Sequence, residues 1–370
     1  MSGISRLREK SGNIDRILLV LPAIFAVISI VMVGSTLYQD SFVISREIVV
    51  QTVSFLLGAV LILVILMIDY QQFADGAILM YIAAVGFMLL VYTPLGYEQY
   101  GSRAWIDLGF TTVQPCEFSK ILFSISYAHY LSVHRNELNS FWGLVKAILY
   151  ASPVIILILK EDLGNALVVI FMMIIMIYAA GVDFKLYAKC GAAAAACMPL
   201  IYFLLKDHQK SRIDAFLHPG DKSLPGNYQV WNSKVAVGSG GFAGKGLFKG
   251  TQKSLDFLPV AKSDFIFSVI CEELGFLGGA FVIGLYTLFM YRIIRIAENT
   301  KDTFGQLIVT GLGAMFFFQI FENIGMTMGI MPVTGITLPF ISYGGTSVLS
   351  NMIALGVILS VGARSKIINF

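Results

Sequence analysis

Residues 17–36 have the sequence ILLVLPAIFAVISIVMVGST, which contains no charged side chain. A helix needs about 20 predominantly apolar residues to cross the hydrocarbon core of a bilayer. The stretch therefore predicts a membrane-spanning helix. Because it lacks an obvious small-residue cleavage site, we expect it to be retained as a helix rather than removed as a signal peptide.

Comparable apolar stretches recur along the whole chain. Of its 370 residues, 57% are hydrophobic and only 13% are charged, which is about half the charged share of a soluble domain. So few charges cannot make a water-soluble surface on a chain of this length. The sequence therefore predicts an all-α integral membrane protein, a single polytopic domain of residues 1–370 with about ten transmembrane helices. The predicted spans are residues 17–36, 48–68, 75–94, 116–133, 143–159, 164–181, 186–205, 264–291, 306–330 and 344–363.

Positively charged residues indicate which side of the membrane the short loops face, because cytoplasmic loops are enriched in Lys and Arg. An even number of spans places both termini on one side, together with the Lys- and Arg-bearing loops near 135, 185–189 and 292–301. Both termini are therefore predicted to be cytoplasmic. The polar segment 206–263, between the seventh and eighth helices, is predicted to be one large extracellular loop, with the shorter polar loop 95–115 on the same side.

Several features exclude other classes of protein. A net charge of +3 without a basic block argues against a nucleic-acid partner. The four cysteines form no C-x-x-C pair and lie in or beside apolar stretches, so we expect free thiols rather than metal ligands or disulfides. The glycine-rich run 238–246 matches neither a Walker motif nor G-x-G-x-x-G, because Ala243 stands at the third glycine position. We interpret this run as flexible backbone that approaches a ligand closely.

Charged residues inside the predicted spans are candidates for function, since charge is costly in lipid. Glu117 and Lys120, at i and i+3 in the fourth span, share one helix face and can pair. The pair either holds the bundle together or borders a substrate cavity. Glu161 and Asp162 lie at the next exterior turn, where they either solvate the turn or cap the following helix.

The eighth span follows the segment LPVAKSDF, residues 258–265. Ser263 is predicted to cap a helix that begins at Asp264. Asp264 then lies at the outer mouth of the span, where the helix dipole favours its charged form, either as a favourable first-turn acid or as a functional group. Glu272 and Glu273 lie about 12 Å further along the same helix. Two adjacent acids at that depth must face protein or water, and structural hydrogen bonding is their predicted role.

Short motifs occur in a fixed order between residues 101 and 345. They are Gly101-Ser-Arg-Ala-Trp-Ile106, Gln114-Pro-Cys-Glu-Phe-Ser-Lys120, Arg212 with Phe216-Leu-His-Pro219, Tyr228-Gln229, Ser233, Gly240-Gly241, Leu258-Pro259, Asp264-Phe-Ile-Phe267, Glu272-Glu-Leu-Gly275 and Pro332-Val-Thr-Gly-Ile-Thr-Leu-Pro-Phe-Ile-Ser-Tyr-Gly-Gly345. Any one of them is weak evidence, but the ordered set is highly specific. Together they resemble the SEDS family, named for shape, elongation, division and sporulation, and its RodA branch most closely. The chain departs from the family pattern at Cys116, where Ser is usual, and at residues 160–162, where Lys-Glu-Asp replaces Gln-Pro-Asp.

The resemblance implies a peptidoglycan glycosyltransferase that joins lipid II units into glycan strands at the outer face of the bacterial cytoplasmic membrane, for cell elongation and shape. An inverting transfer is expected, in which a GlcNAc 4-hydroxyl attacks lipid-linked MurNAc and undecaprenyl pyrophosphate leaves. Asp264 matches the family's essential Asp and is expected to act either as general base or as ligand of a divalent cation such as Mg²⁺ or Mn²⁺. The implied partners are membrane lipid and a class B penicillin-binding protein, which supplies the transpeptidase.

Further site residues are predicted around this chemistry. The leaving pyrophosphate needs positive charge, and the candidates are Arg103, Lys120 with its partner Glu117, Arg212 and Lys262. Trp105 either stacks on a sugar or anchors the chain at the membrane interface. Gln229 and Ser233 either bond sugar hydroxyls or order the exterior loop.

Two other functions are compatible with such a membrane protein. A lipid II flippase predicts charges that run through the bundle from face to face, whereas the acids here cluster mostly in the outer half, with Glu322 and Asn323 nearer mid-span. The sequence also shows no convincing internal repeat, which argues against inverted-repeat transporter folds. A non-catalytic scaffold of a cell-wall synthase predicts that Asp264→Ala leaves the complex functional.

Overall fold

The structure, a computed structural model, describes residues 14–38, 45–99, 102–107, 109, 112–189, 191–192, 202, 205–221, 224–255 and 257–365. The predicted seventh span, 186–205, lies mostly outside the described residues, and every other predicted span corresponds to a helix. In chain order the helices include α1 (Arg16–Thr36), α2 (Arg46–Met67), α3 (Gln72–Asp75), α4 (Ala77–Leu90), α5 (Pro115–Val133), α6 (Phe141–Glu161), α7 (Leu163–Ala179), α8 (Asp207–Leu217), α9 (Pro225–Ser239), α10 (Thr251–Ser254), α11 (Ile266–Asn299), α12 (Thr303–Thr327) and α13 (Gly345–Ser365).

Among the described helices, α1, α2, α6, α11, α12 and α13 are long and apolar enough to cross a membrane. The apolar helices α4 and α7 are shorter. With 14 residues, α4 is about 21 Å long at 1.5 Å per residue, less than the roughly 30 Å of the hydrocarbon core. The helix within the predicted span 75–94 is therefore shorter than predicted, because it begins after the turn at Gly76 and ends at Leu90. The span predicted for 264–291 is too short, since α11 continues to Asn299.

Large apolar side chains cover the outside of the bundle. Ile78 and Leu79 on α4 are 73% and 71% exposed, and Leu56 on α2 is 65% exposed. A continuous apolar surface of this kind is an aggregation liability in water, whereas in a bilayer it contacts acyl chains. The outward-facing side chains agree with the predicted all-α integral membrane protein.

The segment between α12 and α13, residues 328–344, is fixed in the centre of the bundle by aromatic packing. Phe340 stacks on Phe25 of α1 with 5.7 Å between ring centroids, and on Phe316 of α12 with 5.6 Å. Offset aromatic pairs at this separation are favourable beyond the area they bury. The Tyr286 hydroxyl of α11 donates a hydrogen bond to the Pro339 carbonyl at 2.5 Å. Three helices therefore hold this segment in place.

The two polar segments that are predicted to be exterior, called exterior segments below, contain ordered elements. The shorter one forms a three-stranded antiparallel sheet in the order β1-β2-β3, with strands β1 (Gly96–Gln99), β2 (Ser102–Asp107) and β3 (Thr112–Val113). Strands of two to six residues carry too short a pattern for their period to be recognised, so the sheet was not predicted. The longer segment, predicted as a loop over 206–263, contains the helices α8, α9 and α10.

The glycine-rich run 238–246 lies against the backbone of α11. The main-chain nitrogen of Gly246 donates a hydrogen bond to the Glu273 carbonyl at 2.9 Å. Near this contact α11 is kinked, where Gly275 has a φ of 67°. A Cβ atom at Gly244 would collide with the Glu273 carbonyl, so the contact requires glycine. The glycines of this run thus allow a close approach to the kinked helix.

Glu272 and Glu273 join the exterior segment to the helix bundle, and both side chains are fully buried. Glu272 Oε1 accepts a hydrogen bond from the Thr251 main-chain nitrogen at 2.8 Å. Glu273 pairs with Lys253 and accepts a hydrogen bond from the Ser35 hydroxyl of α1 at 2.7 Å. The predicted structural hydrogen bonding of the two acids is confirmed.

Candidate active site

Asp264 lies in a run of turns immediately before α11. The helix begins at Ile266, its N-cap residue is Phe265, and no side chain caps it. The predicted cap by Ser263 is wrong, because a capping residue must directly precede the first helical residue. The Ser263 hydroxyl faces the Val260 carbonyl instead, at 3.5 Å. Asp264 therefore lies outside the first helical turn of α11. The effect of the helix dipole is strongest within that turn.

The main chain around Asp264 is held by Asn323 of α12. The Asn323 side-chain nitrogen Nδ2 donates to the Asp264 carbonyl at 2.9 Å and to the Ile336 carbonyl at 2.8 Å. Asn323 is fully buried, so these bonds form away from solvent and resist competition from water. One side chain thus ties the start of α11 to the segment between α12 and α13.

Gly335 lies close to both the Asp264 carboxylate and the Arg212 guanidinium. Arg212 of α8 donates from Nη1 to the Thr334 carbonyl at 2.7 Å, which brings the guanidinium beside Gly335. A Cβ atom at Gly335 would lie 3.5 Å from Asp264 Oδ2 and 3.7 Å from Arg212 Nη1. The backbone φ of Gly335 is +78°, a conformation that favours glycine. The fold therefore brings an acid and a cation close to the same residue without a side chain.

Burial raises the pKa of Asp264 above its ordinary value of 3.8. The cause is loss of solvation, which disfavours the charged carboxylate. A hydrogen bond from Ser263 and the charge of Arg212 oppose this increase in pKa, while the charge of Asp162 adds to it. The sequence predicted that the helix dipole favours the charged form, whereas in the structure desolvation dominates. A carboxylate with a raised pKa is a stronger base, which suits proton abstraction.

Asp162 is connected through Asn165 to a buried polar network. Asp162 caps α7 by accepting a hydrogen bond from the Asn165 main-chain nitrogen at 2.9 Å, which confirms the capping interpretation. The Lys120 ammonium group, fully buried, bonds Asn165 Oδ1 at 2.6 Å and Glu117 Oε1 at 2.7 Å. The Ser350 hydroxyl of α13 donates to Glu117 Oε2 at 2.9 Å. The pairing of Glu117 with Lys120 is thus confirmed, and its burial favours the interpretation that it holds the bundle together.

Glu161 is buried and joins three exterior elements, which differs from the predicted solvation of a turn. Its carboxylate pairs with Lys206 at 2.9 Å and accepts hydrogen bonds from the Tyr92 hydroxyl and the Arg103 main-chain nitrogen, each at 3.2 Å. Arg103 also donates from Nη2 to the Thr93 carbonyl at 2.8 Å. The bonds of Arg103 thus hold β2 to its surroundings. Trp105, also on β2, is half-buried.

Lys262 lies two residues before Asp264 at the outer end of α2. Its ammonium group pairs with Glu47 at 2.8 Å and lies 5.2 Å from the centroid of the Tyr343 ring. The side chain is 37% exposed, so the pair is open to solvent and its net strength is small. Lys262 can therefore exchange Glu47 for a more strongly charged partner.

Ser233 and Gln229 lie on α9 in different surroundings. The Ser233 hydroxyl is fully buried, lies 2.6 Å from the Ser268 hydroxyl of α11 and donates to the Thr327 carbonyl of α12 at 2.6 Å. Ser233 thus fixes α9 to two membrane helices, which favours its predicted role in ordering the exterior loop. Gln229 is half-buried.

Two site residues were not assigned a role from the sequence. Asn323, noted only as a polar residue near mid-span, holds the Asp264 backbone. Thr334 positions Arg212 through its carbonyl, and its hydroxyl donates to buried Glu322 at 2.8 Å. A polar residue in an apolar span is itself a signal of function, but the partner that it contacts is set only by the fold.

In the described part of the chain, no group of three His, Cys, Asp or Glu side chains lies close enough together to form a metal site from protein ligands alone. Cys116 and Cys271 are buried free thiols, as predicted. The predicted Cys190 and Cys197 thiols lie outside the described residues. Mg²⁺ is often bound by one or two carboxylates together with substrate phosphates. Asp264 offers one such carboxylate, whereas both oxygens of Asp162 already accept hydrogen bonds from Asn165 and Gln114.

Comparison with known proteins finds a matching protein family and several similar proteins. The model of a family of cell cycle proteins that includes FtsW, RodA and SpoVE matches residues 15–367. Peptidoglycan glycosyltransferase MrdB of Escherichia coli K12 is 31% identical over 360 residues, covering 96% of this chain and 95% of the relative. Stage V sporulation protein E of Bacillus subtilis 168 is 32% identical over 370 residues, covering 97% of this chain and 100% of the relative.

Solved structures share the fold. A chain from a peptidoglycan synthase complex that coordinates polymerization and crosslinking superposes with a TM-score of 0.81 at 28% identity, covering 95% of this chain and 98% of that chain. The rod shape determining protein RodA of Thermus thermophilus superposes with a TM-score of 0.70 at 27% identity, covering 94% and 96% of the two chains. These similarities extend over almost the whole length of each protein.

Proposed function

We propose a function from one premise, that this chain belongs to the FtsW, RodA and SpoVE family of cell cycle proteins. The predicted resemblance to the SEDS family and its RodA branch is confirmed. The chain is a peptidoglycan glycosyltransferase, the activity for which several of its relatives are named. Its substrate is lipid II, which it polymerises into glycan strands with release of undecaprenyl pyrophosphate, for cell elongation and shape.

The observation that carries the chemistry is that Asp264 and Arg212 both lie within 4 Å of the position of a Cβ atom at Gly335. In the proposed reaction, the 4-hydroxyl of an acceptor GlcNAc attacks the anomeric carbon of a lipid-linked MurNAc. Asp264 accepts the hydroxyl proton, for which its raised pKa suits it. The bond between the anomeric carbon and the pyrophosphate oxygen breaks, and its electron pair leaves with that oxygen. Attack opposite the leaving group inverts the anomeric centre.

Positive charge beside Asp264 stabilises the departing pyrophosphate. Arg212 is held in place by the Thr334 carbonyl, and Lys262 is half-exposed in a weak pair. A divalent cation such as Mg²⁺ or Mn²⁺, held by Asp264 together with substrate phosphates, would neutralise further pyrophosphate charge when bound. Trp105 and Gln229, both half-buried, are proposed to contact the sugars.

The protein is a multi-pass membrane protein. We place it in the bacterial cytoplasmic membrane, with both termini in the cytoplasm and the active site on the extracytoplasmic side, where lipid II is polymerised. A class B penicillin-binding protein is its proposed partner. The likeness to a chain of a peptidoglycan synthase complex supports this partnership.

The test is glycan synthesis by the purified complex of this chain with its penicillin-binding protein, using labelled lipid II in detergent and gel separation of products. We expect polymer from the wild type and a loss of about 10²–10⁴-fold in rate for Asp264→Asn, the range for a general base. Asp264→Asn should fold at least as stably at neutral pH, because a neutral amide replaces a desolvated carboxylate. Asp207→Asn, an exposed acid on α8, is the matched control.

The same experiment separates the alternative functions. A lipid II flippase makes no polymer in detergent, where there is no barrier to cross. A scaffold allows polymer from the partner even when Asp264 is replaced. Wild-type rates from Asp264→Asn would therefore refute the assignment of Asp264 as the base.

A further inference from the structure

A cavity of about 130 Å³ lies beside the proposed active site, between α8, α9 and the segment 329–335. At roughly 30 Å³ per water molecule in the liquid, this is room for about four waters, so a phosphate group can enter. Arg212 lines the cavity and also approaches Gly335, which lies close to Asp264. The Arg212 guanidinium group is therefore close to both the cavity and the proposed catalytic carboxylate of Asp264.

A second cation enters the cavity from α9. Lys234 lines its wall, and a Cβ atom at Gly329 would collide with the Cε and Nζ atoms of Lys234. The segment 329–335 thus lacks a side chain at both places where a cation approaches it, at Gly329 for Lys234 and at Gly335 for Arg212. Within the described ranges of the chain, no carboxylate forms an ion pair with either cation. Two cations that face one cavity, of which Arg212 also lies close to Asp264, favour binding of an anion with two charged groups.

The remaining wall of the cavity is apolar and includes Phe216, Val230, Met331 and Val333. Phe216 is 41% exposed, so the apolar wall continues to the surface of the exterior segment. A free anion gains nothing from such a wall, whereas an amphiphile buries its chain there. The wall and the two cations together fit a diphosphate attached to an apolar chain.

We propose that this cavity binds the diphosphate of the polyprenyl-linked donor between Arg212 and Lys234, with the first isoprenoid units against the apolar wall. The inference rests on the proposed function and adds to it the place of the leaving group and a role for Lys234. As the bond between the anomeric carbon and the diphosphate breaks, the electron pair moves to the diphosphate oxygen. Arg212 and Lys234 neutralise the charge that develops there.

The first test is inhibition of lipid II polymerisation by farnesyl diphosphate, a short analogue of the leaving group. We expect Lys234→Gln to raise the inhibition constant of farnesyl diphosphate and to lower kcat/KM for lipid II, each by roughly 10-fold or more. Lys234→Arg keeps the charge and should restore both values. Lys249→Gln removes an exposed lysine of the same exterior segment outside the cavity and should leave both values unchanged. Unchanged constants in folded Lys234→Gln would overturn the proposal.

Two further arms identify the source of the anion. Inorganic diphosphate and farnesyl monophosphate should each inhibit at least 10-fold less than farnesyl diphosphate, because each lacks one part of the ligand. In nanodiscs, the effect of Lys234→Gln should persist when phosphatidylglycerol is omitted. If the effect disappears with phosphatidylglycerol, Lys234 binds a bilayer headgroup and the proposal is wrong.

A direct binding measurement separates this inference from the proposed function. Farnesyl diphosphate binding to the purified complex can be followed by thermal shift without any turnover. If the wild type makes no polymer but binds farnesyl diphosphate in a Lys234-dependent manner, the polymerase function fails and the cavity assignment stands. If the wild type polymerises and neither binding nor inhibition depends on Lys234, only the cavity assignment fails.

Discussion

Replacing Gly335 by alanine should abolish polymerisation while changing the fold very little. The new methyl group would lie 3.5 Å from Asp264 Oδ2 and 3.7 Å from Arg212 Nη1. These are ordinary van der Waals contacts, so neither neighbour has to move. The methyl group instead fills space beside both the acid and the cation, where the proposed reaction brings the acceptor hydroxyl.

This geometry gives the expected loss of stability and the expected loss of activity of Gly335→Ala. An alanine at the observed φ of +78° costs about 1–2 kcal/mol, the penalty for a left-handed conformation. For a chain of this size that lowers Tm by on the order of 2 °C. A base must come within about 2.6–3.2 Å of the hydroxyl that it deprotonates, and a misplacement of about 1 Å costs on the order of 10²-fold in rate. The expected loss of activity is therefore far larger than the loss of stability.

The matched control is Gly109→Ala. Gly109 has a φ of +82°, and a methyl group added there would have nothing within 4 Å, so this variant carries the same backbone strain without the crowding. Both variants are assayed for lipid II polymerisation and for Tm in detergent. We expect similar small decreases in Tm and a loss of activity only in Gly335→Ala. Full activity of folded Gly335→Ala, or equal inactivation of Gly109→Ala, would refute the reasoning.

Three other predictions follow from the buried charges. Lys120→Met leaves the Glu117 carboxylate buried without its partner and should cost about 3–5 kcal/mol of stability. Adding Glu117→Gln to this variant should recover much of the lost stability. Equal Tm values for the single and double variants would contradict the structural role of the pair. The base must be deprotonated to act, so the rate of polymerisation should fall as the pH is lowered through the pKa of Asp264. Because that pKa is raised, the fall should occur at a higher pH than it would for an Asp with an ordinary pKa. Asp162→Asn removes a charge that raises this pKa and should move the acid limb of the pH–rate profile to lower pH; an unmoved limb would show that Asp264 does not set it.

Features that depend on neighbouring residues could be read from the sequence. The first span was predicted at 17–36 and observed at Arg16–Thr36, because the hydrophobicity required to cross a bilayer is a property of one continuous segment. The pairing of Glu117 with Lys120 was likewise predictable, since residues three apart share a helix face. The cap at Asp162 involves a donor three residues away. In each case the cause and the effect lie within one or two helical turns.

The remaining features depend on residues that are distant in the sequence. Arg212 and Asp264 both lie close to Gly335, and Asn323 holds the Asp264 backbone, although separate segments supply these groups. The cap predicted for Ser263 failed because the turns before α11 are stabilised by contacts to other segments, such as that of Ser342 with the Ser263 carbonyl at 2.5 Å. Local sequence determined which segments enter the membrane and which residue types are present. Only tertiary packing decided which polar groups are desolvated together, because desolvation depends on everything that surrounds a group.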